Sequence, residues 1–99
     1  MSSAPHFGIL TVECYLPNSH SLKEKRMVSQ SVKARLRQKF NVSVAETDHL
    51  ELWQRLTLAI GLVGGSAGHI STQMVQIENW LVQELLGKAE IINLQADLY

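Results

Sequence analysis

The sequence predicts an α+β domain built from two strand–helix–strand units sharing one four-stranded antiparallel sheet, and three observations carry that prediction. Two stretches with apolar residues every three or four positions are set among four stretches of apolar–polar alternation, in the order strand, helix, strand, strand, helix, strand. A length of 99 residues, with 45% apolar and 18% charged, matches one domain with one core over 1–99. Right-handed crossovers then place both helices on the same face of the sheet.

The elements follow in order. Phe7 to Leu16 alternates as a strand, with Leu10, Val12, Cys14 and Leu16 toward the core and Phe7, Ile9, Thr11, Glu13 and Tyr15 on the other face. Pro17-Asn18-Ser19-His20 is turn chemistry. Ser21 and Glu24 have capping-box spacing, with the Glu24 carboxylate expected on the Ser21 amide, so a helix starts at Leu22. Leu22, Val28, Val32, Leu36 and Phe40 form its apolar stripe, and Asn41 closes it before a strand over Val42 to Thr47. After a turn at Asp48 to Glu51, a strand from about Leu52 to Val63 points Leu56, Leu58, Ile60 and Leu62 inward and Arg55, Thr57 and Ala59 outward. Gly64 to Gly68 reads as a flexible connector without the Gly-Lys-Ser/Thr ending of a phosphate loop. Ile70, Met74, Ile77, Leu81 and Leu85 mark a second helix that stops at Gly87, and a last strand covers about Glu90 to Leu98. This order defines a ferredoxin-like α/β plait (βαββαβ), with residues 1–5 expected to be disordered.

Charge is sorted along the chain although the net charge is zero. Residues 21–40 hold seven of the nine Lys and Arg residues and one acid, while the remainder holds two bases and eight acids. Arg26, Gln30, Lys33 and Arg37 recur at helical spacing beside the apolar stripe. Lys23, Lys25 and Arg26 crowd the first turn, where the helix dipole opposes each cation by about 0.3–1 kcal/mol, so stability alone does not select them. Two readings stand: a surface that binds anions such as phosphates through Lys23, Lys25, Arg26, Lys33 and Arg37, and a basic face that is merely solvated.

Two residues break the periodicity of their elements. Lys25 projects near the centre of the apolar stripe, and Glu46 follows Val42 and Val44 onto the core face of its strand. The topology brings both to one edge, which predicts a Lys25–Glu46 ion pair beneath the Asp48 turn, costing about 1–3 kcal/mol when one partner is removed. The same edge gathers His20, Asp48, His49, Trp53 and Arg55 as a possible small-molecule site. The His and Asp residues lack metal-ligand spacing, so polar loop residues are the expected reading, and neither metal nor cofactor is expected. Cys14 lies on the inward strand face as a small core residue. A lone cysteine and the lack of any apolar run of membrane or signal length point to a cytoplasmic protein without a membrane partner. The helix-free sheet face leaves Phe7, Ile9 and Tyr15 as the expected interface of a homodimer.

His20-Ser-Leu-Lys-Glu-Lys-Arg26, Phe40-Asn-Val-Ser-Val-Ala-Glu46, Asp48-His49 and Leu52-Trp-Gln-Arg55 resemble the signature stretches of the YlxP-like bacterial family, a domain of unknown function. The resemblance implies a ferredoxin-like plait in a cytoplasmic protein whose gene often neighbours those for translation initiation and ribosome maturation factors, and it brings no activity. The leading expectation is a non-catalytic adaptor or assembly factor that contacts RNA or a ribosomal particle through phosphates. A small homo-oligomeric enzyme or ligand-binding domain with its site at His20, Asp48 and His49 is the alternative, and a protein-only scaffold is a third.

Overall fold

The structure, a computed structural model, describes residues 5–99. The expected disorder over 1–5 falls, for all but Pro5, outside the described residues. Six elements run β1 (His6–Tyr15), α1 (Leu22–Lys39), β2 (Ser43–Asp48), β3 (Arg55–Gly64), α2 (Ala67–Glu84) and β4 (Glu90–Leu98). The strands form one antiparallel sheet in the order β2-β3-β1-β4, the ferredoxin-like plait. β1 is the long central partner, pairing along its whole length with β3 and, across a bulge at Glu13/Cys14, with β4.

The core lies between the sheet and the helices. Leu10, Val12 and Cys14 of β1 meet Leu56, Leu58 and Ile60 of β3 beneath Val32 and Leu36 of α1 and Ile70, Met74, Ile77 and Leu81 of α2. α1 packs on β2 and β3, and α2 on β1, β3 and β4. The two helices touch through Phe40, which sits edge-on to Trp80 with centroids 6.1 Å apart, and through an Arg35–Glu84 ion pair. Gly8 admits α2 closely: a Cβ there would lie 2.4 Å from Met74 Cε and 2.9 Å from Ile70 Cγ2.

Three local expectations are corrected. Gly64 to Gly68 is not a free connector, because Gly64 closes β3, Ser66 caps α2 by accepting the His69 amide at 3.1 Å, and Ala67 and Gly68 lie in the helix. The cap takes hold one turn before the apolar pattern begins. Residues 52–54 are turn, so β3 starts at Arg55. The chain leaves α2 at Leu85, two residues before the expected stop, with Gly87 supplying φ +80 in the turn to β4.

Candidate nucleic-acid interface

The basic helix opens on its cap. Glu24 N donates to Ser21 Oγ at 3.1 Å, while the Glu24 carboxylate accepts from the His20 amide at 2.6 Å, not from Ser21 as the capping-box pattern implies. One residue on, the Lys25 side chain is buried. The buried stripe of α1 is Lys25, Ser29, Val32 and Leu36, with Leu22, Val28 and Phe40 partly buried beside it. The stripe is therefore centred on a cation and a hydroxyl, which apolar periodicity alone does not reveal.

Lys25 is 1% exposed, and its ammonium is held by three oxygens. It donates to the carbonyls of His49 at 2.8 Å and Leu50 at 2.9 Å, and Glu46 Oε2 lies 3.0 Å away. Glu46 Oε2 accepts no hydrogen bond of good geometry, so that contact is Coulombic, whereas the ammonium protons are aimed at the turn. Ser29 Oγ donates weakly to the other carboxylate oxygen at 3.4 Å. The structure thus brings Lys25 and Glu46 together and adds the turn backbone, a pair of acceptors the side-chain pattern does not disclose. Lys25 is withdrawn from the anion contacts, since a buried ammonium with filled valence faces no ligand.

The turn it holds is bent over the helix-free face. His49 adopts φ +56, its amide donates to Asp48 Oδ1 at 2.7 Å, and its Nδ1 lies 2.9 Å from Thr57 Oγ1. Thr57, expected outward and exposed, is buried there. Beyond it a cleft of about 370 Å³ is lined by Tyr15, Glu51, Leu52, Trp53, Gln54 and Arg55. Trp53 and Arg55 therefore share a cleft that His20, Asp48 and His49 do not line. Among the described residues no three His, Cys, Asp or Glu side chains gather as a metal site. Cys14 is buried, and burial, reinforced by Glu13, pushes its thiol up to about 11. No described helix is long and apolar enough to cross a membrane.

The remaining cations form a flank. Lys23, Arg26, Lys33 and Arg37 stand on the side of α1 above β2, and Arg37 Nη2 donates to the Val44 carbonyl at 3.0 Å. Among the described residues the ion pairs engage Lys25, Arg35, Arg55 and Lys88, and none engages this flank. On the opposite sheet face, Phe7 stacks on Tyr99 with centroids 4.8 Å apart. Ile9 and Tyr15 are partly buried, with Thr11 and the Glu13–Arg55 ion pair lying between them.

Fold and site together define a small ferredoxin-like α+β domain with a charge-segregated helix pinned by a buried lysine. Residues 7–96 match the family described as "Protein of unknown function (DUF503)", and the chain belongs to that family. It is 39% identical over 59 residues to the uncharacterized protein YlxP of Bacillus subtilis (strain 168), a stretch covering 60% of this chain. The same stretch covers 64% of that relative, just under two thirds of its length.

Proposed function

We propose that this protein is a non-catalytic domain that meets RNA, free or in a ribosomal particle, through phosphates on the Lys23, Arg26, Lys33 and Arg37 flank. The observation that carries the reading is a flank of four cations without a carboxylate partner among the described residues, in a chain whose acids equal its bases. Of the nearest acids, Glu24 is held by the helix cap and Glu46 by Lys25, and among the described residues no carboxylate, Asp48 of β2 included, pairs with the flank. Planar guanidinium groups at 26 and 37 suit bidentate contact with phosphate oxygens, and the lysines add point charges. Four such contacts give log K falling with log salt at a slope of about −3.

The test is RNA binding by fluorescence anisotropy with a short hairpin, across a salt series, for the wild type and for Lys23→Glu/Arg26→Glu/Lys33→Glu. Loss of binding by a variant with unchanged circular dichroism supports the reading, and full binding by that variant removes it. The Tyr15–Trp53–Arg55 cleft favours a second reading, a domain that takes a small planar ligand. Lysate pull-downs with and without nuclease separate the two: RNA-dependent capture supports the first, and a copurifying small molecule lost in Trp53→Ala supports the second.

A further inference from the structure

The two edges of the sheet are built differently. β2 has six residues and a bulge between Glu46 and Asp48, and Arg37 reaches over it to the Val44 carbonyl. These are ordinary devices for closing an edge. β4 also carries a bulge, between Ile91 and Asn93, but from Asn93 to Leu98 it pairs regularly with β1, and its nine residues include no Lys, Arg or Pro. Its backbone register is set by Tyr99, whose amide donates to the Phe7 carbonyl at 2.9 Å while the Phe7 amide donates to the Tyr99 carbonyl at 3.5 Å. Hydrogen-bonded pairs alternate along an antiparallel ladder, so Asp97 opposite Ile9 and Gln95 opposite Thr11 also bond inward. Leu94, Ala96 and Leu98 consequently turn their N–H and C=O groups to the free edge.

The side chains around that edge are apolar. Leu94 and Leu98, opposite Val12 and Gly8, lie on the helix side of the sheet yet are 37% and 47% exposed. Above them α2 shows Val75 and Val82 on the flank opposite Trp80 and Glu84, which face α1. With Leu86 and Ile92 these residues expose roughly 500 Å², where a standard interface takes about 800 Å² from each partner. The open backbone of the edge, together with Gln95 and Asp97, supplies the rest.

We propose that this edge receives a second copy of the chain, β4 against β4, with the two-fold axis at Ala96. Centring on Ala96 sets Leu94 opposite the partner's Leu98 on the helix side and Gln95 opposite the partner's Asp97 on the other. No carboxylate then faces another, each apolar side chain meets an apolar one, and an amide meets an acid. The outward groups of Leu94, Ala96 and Leu98 make six main-chain hydrogen bonds across the joint. The product is an eight-stranded sheet with both helix layers on one face. Its two basic flanks stand at the far edges, seven strand spacings or about 34 Å apart. The homodimer contact thus moves from Phe7, Ile9 and Tyr15, a face interrupted by Thr11 and the Glu13–Arg55 pair, to the edge where backbone and side chains are both unfilled.

Sedimentation equilibrium of the full chain tests this, with Ala96→Pro as the decisive variant. The Ala96 amide points away from β1, so proline spares the ladder within the domain and removes the two bonds at the axis. We expect a wild-type dimer at micromolar concentration and an increase in its dissociation constant of about 100-fold in Ala96→Pro, at unchanged circular dichroism. Ala96→Cys provides a direct readout, because a hydrogen-bonded pair sets its Cα atoms about 5.5 Å apart, within disulfide reach. It should crosslink to a dimer under mild oxidation, while Val63→Cys, exposed on the other face, should not. A wild type that stays monomeric at 100-fold higher concentration, or a dimer untouched by Ala96→Pro and broken by Phe7→Lys, overturns the proposal.

Discussion

Replacing Lys25 by Met keeps most of the side-chain volume and deletes the ammonium. The loss strands the His49 and Leu50 carbonyls that the ammonium holds and leaves the Glu46 carboxylate with Ser29 alone. Removing one partner of a buried ion pair costs about 3–5 kcal/mol, and the two stranded carbonyls put this site at the upper part of that range. The value exceeds the 1–3 kcal/mol that a simple side-chain pair implies. Glu46→Gln is expected to cost less, about 1–2 kcal/mol, because Glu46 is 13% exposed and Lys25 keeps both carbonyls. Lys25→Met/Glu46→Gln should cost less than the two single changes together, with a coupling of about 1–3 kcal/mol. Urea unfolding followed by circular dichroism reads all three. Against a total stability of about 5–15 kcal/mol, Lys25→Met lowers the midpoint by about 2 M. A Lys25→Met cost below 1 kcal/mol, or coupling indistinguishable from zero, would refute the reasoning. Hydrogen exchange adds a local readout: amides of the 48–54 turn should lose protection in Lys25→Met before those of α2 do.

Gly8→Ala should destabilise by about 1–3 kcal/mol in thermal unfolding, because Ile70 cannot swing clear of the new Cβ as the Met74 tail can. Cys14 makes a pH prediction. Its thiol is raised from 9.0 to about 11, so between those values the unfolded chain loses a proton that the folded chain keeps, and stability falls as pH rises. The stability of Cys14→Ala relative to wild type should improve by about 2 kcal/mol between pH 8 and pH 11, read by urea midpoints at each pH. Reversing Lys23, Arg26 and Lys33 should abolish RNA binding without lowering stability, because carboxylates at 23 and 26 suit the helix N-terminus by about 0.3–1 kcal/mol each.

The order of elements, the inward residues of β1, β3 and α2, and the start of α1 were legible in the chain itself. Each rests on local chemistry: a period of two or near 3.6, a Ser cap, a turn of Pro and Asn. Lys25 and Glu46 were legible for the opposite reason, because each violates the period of its own element and topology supplies a partner for both violations. Other features were decided only by tertiary contact. The direction of the Lys25 protons depends on two carbonyls 24 and 25 residues away, and backbone carbonyls carry no sequence signature. Thr57 is buried because the His49 turn folds over it, and Ser66 recruits Ala67 and Gly68 into α2 ahead of any apolar repeat. The difference between the sheet edges is likewise spatial. β2 and β4 both read as strands, but only packing sets α1's cations over the first and leaves the second with unpaired backbone, since edge position is a property of the whole sheet and not of any one strand.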